Sequence, residues 1–300
     1  VRLAVRGKGE TRAPVTFRNG NVMRIESAGL TDVGKKREGN EDSFLIDDAL
    51  GFYAVADGMG GHRAGEVASR MVVEALTEHM SMFCSGREAP TLADNSLSSE
   101  ALRVLAGIQA ANWNIHNLAT SSEDHRGMGS TVAAVYCTPL TLIAANVGDS
   151  PIYLIRDGAI KPLSVTHTVE AELSQLSAEK FNKISPRYHH MLTRAVGIEE
   201  DVYPDVCEAP YFDQDIVVIC SDGLSNKVTP QELRDIVLSN PPEEACRILV
   251  GLANGRGGED NITVIVLKLR KKHSGDSFAA QLIERFFEGW KRLFSRSNHS

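Results

Sequence analysis

Three hundred residues, 42% hydrophobic and 24% charged, suffice for one large core with extensions, the arrangement expected here ahead of two equal domains. A formal charge of -7 argues against broad nucleic-acid affinity, which needs a concentrated basic face, so no nucleic-acid partner is expected, while a local basic patch is still allowed. Five cysteines at irregular spacing without a CxxC (Cys84, Cys137, Cys207, Cys220 and Cys246) fit reduced core thiols of a cytoplasmic protein. No apolar run approaches the length of a bilayer span, and the start lacks the charged-then-apolar layout of a signal peptide.

Residues 1–26 carry Asn19-Gly20 between VTF and VMRI, which predicts a short hairpin or a leader strand with no chemistry of its own. The stretch GLTDVGKKREGNEDSFLIDD then sets Asp32, Arg37, Asn40, Glu41 and Asp42 ahead of an alternating strand from Ser43 to Asp48. Next comes GFYAVADGMGGH, Gly51 to His62, around which the chain is organised. An apolar run ends on Asp57, glycines crowd the following positions, and a helical pattern opens: strand, tight turn, helix. A carboxylate at the end of a buried strand needs a partner, and glycines let backbone carbonyls approach that partner. A hard cation satisfies both conditions; so does a turn in which Asp57 caps the next helix.

Helical spacing continues from His62 to Phe83 and returns from Leu97 to Leu118. Short branched runs at Gly129 to Cys137, Leu140 to Val147 and Ser150 to Arg156 are separated by turn residues and predict antiparallel hairpins. Residues 164–190 are polar and poor in branched side chains, a candidate lid with some helix at Val169 to Leu176. A strand from Asp215 to Cys220 runs into Ser221-Asp222-Gly223, helices fill Pro230 to Ala253, and Asn261 to Leu269 closes the domain behind Asp260.

Asp57-Gly58, Gly148-Asp149, Asp222-Gly223 and Asp260-Asn261 are thus four acids at strand edges. One such acid is a turn residue. Four at equivalent positions imply an acidic cluster at one end of a sheet structure, which repels itself unless divalent cations are bound. Oxygen donors without His or Cys at ligand spacing select Mg2+ or Mn2+ over Zn2+.

The ordered set TDVGKKREGNEDS, AVADGMGGHRAGE, MGSTVAA, ANVGDS, MLTRAVG, VICSDGLSNKV and GEDNITVIV resembles the metal-dependent type 2C protein serine/threonine phosphatases, in particular their bacterial branch. The resemblance covers residues 27–270. It implies an α+β fold, a four-layer α-β-β-α sandwich of two antiparallel sheets flanked by helix pairs. It also implies hydrolysis of phosphoserine and phosphothreonine in proteins by a metal-activated water, with two or three Mn2+ or Mg2+ ions per chain. Carried over by residue, Asp57 is the acid shared by two metals, the Gly58 carbonyl completes one, and Asp222 and Asp260 hold the second. Asp149 with Asp222 matches the position of a third, weaker metal. Glu41 and Asp42 match acids that orient metal-bound waters, Arg37 the phosphate-binding arginine, and His62 the candidate general acid. Ser130, Thr131, Asn146 and Asn261 orient loops.

Three departures stand out: Pro151 where the family usually has Arg, Thr166 where an acid usually precedes His167, and a flap without its common glycine. They bear on the third metal and on substrate choice and leave the two-metal core intact. His167, His189 and His190 are read as structural or solvent-facing. Beyond the domain, residues 271–300 form a linker and a basic amphipathic helix, Phe278 to Phe294, which docks on its own domain, on a partner or on a membrane surface. The tail therefore allows peripheral attachment at the inner face of the membrane. A serine/threonine kinase is the expected counterpart. The competing reading is a catalytically weak phosphoprotein-binding regulatory module on the same fold. No cysteine is followed six residues later by Arg, and no GxxxxGK[ST] loop occurs, which excludes cysteine-dependent phosphatase and P-loop chemistry.

Overall fold

Most strands of this chain are apolar on both faces, and the two-residue alternation of a strand decides which of three cores each side chain enters. The computed structural model describes residues 15–16, 22–84, 97–176 and 191–271. In chain order its strands are β1 (Val15–Thr16), β2 (Val22–Asp32), β3 (Asp42–Asp47), β4 (Phe52–Met59), β5 (Gly129–Ser130), β6 (Val132–Cys137), β7 (Thr141–Val147), β8 (Ile152–Arg156), β9 (Ala159–Pro162), β10 (Asp205–Pro210), β11 (Ile216–Cys220) and β12 (Ile262–Lys271). The helices are α1 (His62–Cys84), α2 (Ser99–Ser121), α3 (Val169–Leu176), α4 (Asp222–Ser225), α5 (Pro230–Ser239) and α6 (Pro242–Gly255).

One antiparallel sheet runs β1-β2-β12-β11-β8-β9 and the other β10-β7-β6-β4-β3, with β5 added to β4. Along β4, Phe52, Ala54 and Ala56 join the core under α1 and α2, whereas Tyr53 and Val55 face the opposite sheet. Along β11, Val217 and Ile219 enter that same central core, and Ile216, Val218 and Cys220 pack under α5 and α6. The result is the α-β-β-α sandwich, with one apolar layer between the sheets and one beneath each helix pair. Helix starts follow local chemistry: Ser98 caps α2, and α5 opens on a capping box between Thr229 and Glu232 with Pro230 at its first position. Cys137, Cys220 and Cys246 are buried, Cys207 is half-buried, and all four are free thiols.

Several details differ from the sequence reading. β4 continues through Asp57 and Gly58 because Gly58 pairs with Ser130 and Met59 with Gly129; the turn is made afterwards by Gly60 and Gly61, with φ of 121° and 89°. β9 and β10 extend the two sheets without having been expected. At the amino-terminal side, Val15 pairs with Met23 and Thr16 with Val22, and β2 pairs with β12 from Met23 through Asp32. His189, His190, the flap up to residue 190 and the amphipathic tail helix lie outside the described residues. Among the described residues no helix is long and apolar enough to cross a membrane.

Candidate active site

The topology delivers the acids to one end of the sandwich. Asp57 stands near the end of β4 and is directly paired with Asp42, the first residue of β3. Asp222 opens α4 just after β11, Asp260 precedes β12, and Asp149 lies in the turn from β7 to β8. β4 with β3 and β11 with β12 are antiparallel neighbours, so the carboxyl end of one meets the amino end of the other, and the turn from β7 to β8 crosses from one sheet to the other. A cleft of about 320 Å3 opens there, lined among others by Arg37, Glu41, Asp57, Gly58, Asp149, Asp222 and Asp260. Asp42 lines an adjoining recess of about 370 Å3 with Thr31, Asn40 and Glu66. His62 is the first residue of α1; its side chain lies outside the described residues.

Backbone and hydroxyl contacts fix the acid-bearing segments. The Asp57 N–H donates to Thr131 Oγ1 (3.0 Å), and its carbonyl accepts from the Thr131 N–H (2.8 Å) and Ser130 Oγ (3.0 Å). Thr131 Oγ1 also bonds Ser150 Oγ at 2.8 Å, tying Asp57 to the loop of Asp149. Asp42 Oδ2 accepts from Ser221 Oγ (2.8 Å) and Thr263 Oγ1 (2.6 Å), which reaches across to the β11 and β12 segments. Asn261 holds the arginine loop: its Oδ1 accepts from the Glu41 N–H (2.8 Å), and its Nδ2 donates to the carbonyls of Val33 (2.9 Å) and Gly39 (3.0 Å). Gly58 and Gly65 back onto one another: a Cβ on Gly58 would run into the Gly65 carbonyl, and one on Gly65 into the Glu41 carboxylate.

The cleft holds five carboxylates and one guanidinium. Arg37 Nη2 donates to Asp260 Oδ2 at 2.8 Å, an ion pair open enough to solvent to contribute little to stability. Repulsion among the acids is therefore uncompensated. Desolvation, then the neighbouring carboxylates, hold Asp57 well above the usual aspartate range and raise Asp222. Desolvation pushes Asp149 up to about 7, with Asp222 adding to it. Asp42 is likewise pushed up to about 7 by desolvation, against the pull of its two hydroxyl donors. Asp42 Oδ1 and Asp222 Oδ1 are enclosed without a hydrogen-bond partner.

An all-oxygen donor set, mutual repulsion and two unpartnered oxygens fit hard divalent cations. Among the described residues no group of three or more His, Cys, Asp or Glu side chains is placed to hold a metal ion by itself; Mg2+-like ions keep several waters and take one or two carboxylates.

Sequence reasoning treated His167 as structural but missed what it does. It is buried, its Nδ1 accepts from the Gly148 N–H (3.0 Å), and its Nε2 donates to Asp205 Oδ2 (2.7 Å). Its own N–H donates to the Gly148 carbonyl (2.9 Å). The ring, kept neutral by desolvation, thus clamps the residue before Asp149. No sequence signal marks Asp205, because it meets His167 from 38 residues away. Pro151, without an N–H, still offers its carbonyl to the Cys220 N–H at 3.2 Å.

Residues 35–240 match the family described as "Protein phosphatase 2C". Serine/threonine phosphatase stp of Listeria monocytogenes serovar 1/2a is 36% identical over 247 residues, 79% of this chain and 93% of that protein. Protein phosphatase PhpP of Streptococcus pneumoniae is 32% identical over 255 residues, 83% and 99% of the two lengths. Among solved structures, the serine/threonine phosphatase PstP/Ppp of Mycobacterium tuberculosis superposes with a TM-score of 0.70 at 29% identity, covering 82% of this chain and 99% of that one. A PstP catalytic domain in complex with two manganese ions gives 0.69 at 30% identity, covering 83% and 99%.

Proposed function

The chain belongs to the protein phosphatase 2C family, and from that premise we infer that it removes phosphate from phosphoserine and phosphothreonine in proteins at the acid-lined end of its sandwich. The observation that carries the assignment to this cleft is its charge imbalance: five carboxylates against one guanidinium, with the enclosed Asp222 Oδ1 unpartnered. Such an arrangement costs stability, and its use is to receive cations.

Phosphatases of this family are metal-dependent. Asp57, Asp222, Asp260 and the Gly58 carbonyl are proposed to hold two ions, Mn2+ or Mg2+, and Asp149 with Asp222 a third. Ions held there polarise water and neutralise the phosphoryl oxygens. The chain's own groups do the rest. Arg37 is proposed to grip phosphoryl oxygens: its fork has more donors than Asp260 uses, so it can serve both. Glu41 and Asp42 accept hydrogen bonds and set the orientation of water in and beside the cleft. His62 is assigned the proton returned to the departing Ser or Thr oxygen, a task suited to a group titrating near neutrality. His167, Thr131 and Asn261 position the acid and arginine loops without touching substrate.

A serine/threonine kinase as physiological counterpart, a cytoplasmic location, and contact of the basic tail with a partner or with anionic lipid at the inner face of the membrane are proposed with it, supported by the sequence pattern alone. The test is release of phosphate from a phosphothreonine peptide in Mn2+, Mg2+ or EDTA, by the intact chain and by Asp222→Asn. Turnover that needs metal and collapses in the variant is expected. Metal binding without phosphate release from several peptides would sink the catalytic reading and leave a phosphoprotein-binding module.

A further inference from the structure

The acid cleft does not end in polar surface. Met59, two residues after Asp57 on β4, lines it, and beyond Met59 the wall is continued by Ile198. Both side chains rest over Gly129 of β5: a Cβ there would stand 2.9 Å from Met59 Cε and 2.9 Å from Ile198 Cδ1. Gly129 thus provides the space in which the two apolar groups form one surface.

Ile198 is 39% exposed, and the backbone around it is fixed from two sides. Buried Asn112 of α2 accepts from the Gly197 N–H through Oδ1 (2.6 Å), and its Nδ2 donates to the carbonyls of Glu199 (3.1 Å) and Glu200 (2.9 Å). Val196 exchanges both backbone hydrogen bonds with Ser130 (3.0 and 2.8 Å). A scattered exposed isoleucine needs no explanation; one bolted in place on the rim of a cleft is preorganised for contact. The following three residues, Glu199, Glu200 and Asp201, are exposed, and among the described residues none of their carboxylates is paired with a cation.

We propose that Ile198 and Met59 seat an apolar side chain of the substrate polypeptide near its phosphorylated residue, and that Glu199, Glu200 and Asp201 favour a basic residue beyond it. The occupant follows from continuity: a phosphoserine or phosphothreonine in the cleft is part of a chain that must run out over its rim. An extended chain advances about 3.3 Å per residue, so a side chain a few positions from the phosphorylated one can reach the rim. This inference rests on the phosphatase reading of the cleft and names the peptide chemistry that reading leaves open.

The test compares phosphothreonine peptides carrying Leu or Ser two and three positions away on either side, and Lys or Glu farther out, with p-nitrophenyl phosphate, which has no flanking chain. The enzymes are wild type, Ile198→Ser and the double variant Glu199→Lys/Glu200→Lys, all with Mn2+. Wild type is expected to favour the Leu peptide about tenfold in kcat/KM, through KM. Ile198→Ser should bring that preference to within about twofold while turning over p-nitrophenyl phosphate as wild type does, because the surface change leaves the acids alone. The double charge reversal should invert the Lys-over-Glu preference. Equal use of Leu and Ser peptides by wild type, or a preference untouched by Ile198→Ser, would overturn the proposal. Wild type that hydrolyses neither the peptides nor p-nitrophenyl phosphate would instead remove the phosphatase reading, and this inference with it.

Discussion

Strand β11 has an aspartate beyond each end, and the two are in opposite circumstances. At its start, Asp215 is fully enclosed and fully answered. Arg156 donates to it from Nε (2.9 Å) and Nη2 (2.6 Å), and the Phe212 N–H adds a third bond at 2.7 Å. The same guanidinium donates to the Pro210 carbonyl (2.8 Å) and lies 4.4 Å from the centroid of the Phe212 ring. At the far end, Asp222 faces other carboxylates, is raised above its ordinary range by desolvation and by Asp260, and keeps one oxygen unpartnered. The first end is a bidentate ion pair that closes the fold; the second is a charge deficit that the fold tolerates. On the function proposed above, stability and chemistry sit at different ends of one strand.

Substitutions at the two ends should therefore separate the two properties. Asp57→Asn should slow phosphate release from a phosphothreonine peptide about ten-thousandfold, roughly 5 kcal/mol of transition-state stabilisation, while stopped-time urea unfolding of the metal-free protein shows no loss of stability. Arg156→Met at the other end leaves Asp215 enclosed and unpaired and should cost about 3–4 kcal/mol in urea unfolding, with kcat/KM of the folded protein within about twofold of wild type. An Arg156→Met protein that is as stable as wild type yet inactive would dissolve the division of labour.

The pH dependence sharpens the same contrast. The Asp149 carboxyl, pushed up from 3.8 to about 7 in the folded chain, binds its proton more tightly folded than unfolded. Its contribution favours folding below the ordinary aspartate range and is lost as pH rises through about 7. In EDTA the wild type should accordingly lose stability between these limits, and Asp149→Asn, which has no charge to accommodate, should flatten that slope and gain about 1–2 kcal/mol above neutrality. A metal-free protein that grows more stable over this interval, equally in both forms, would count against the charge deficit. The smallest expected effect is at Arg37: Arg37→Lys keeps the charge but not the fork, and should raise KM for phosphopeptide about fivefold with kcat less affected.

Much of this contrast was legible in the chain. DIVVIC and NITVIVLKL are apolar at successive positions because β11 and β12 are buried on both faces, and that pattern needs no partner to be recognised. The acids at the strand edges were equally visible, since glycine beside aspartate at the end of an apolar run marks a turn with a carboxylate on it. What stayed hidden depends on contacts between distant residues. Arg37 meets Asp260 across 223 positions, His167 finds Asp205 where Thr166 supplies no acid, and Arg156 finds Asp215 across a stretch with no local signature. β10 escaped notice because DVCEAP alternates weakly and only its Ala209 is buried; its place is set by pairing with β7. Likewise, the pairing with β12 that begins at Met23 runs through the boundary drawn at residue 27, because the pairing partner lies near the opposite end of the chain.

The most direct test of the account is the thermal unfolding of chelator-stripped protein as Mn2+ is added near neutral pH, wild type beside Asp57→Asn. If the acid end is a cation site held at a cost, the wild-type Tm rises with Mn2+ concentration as ligation of the folded state demands, while the stripped variant starts at least as high and rises little. A wild-type Tm indifferent to Mn2+, or a stripped Asp57→Asn less stable than stripped wild type, would contradict it.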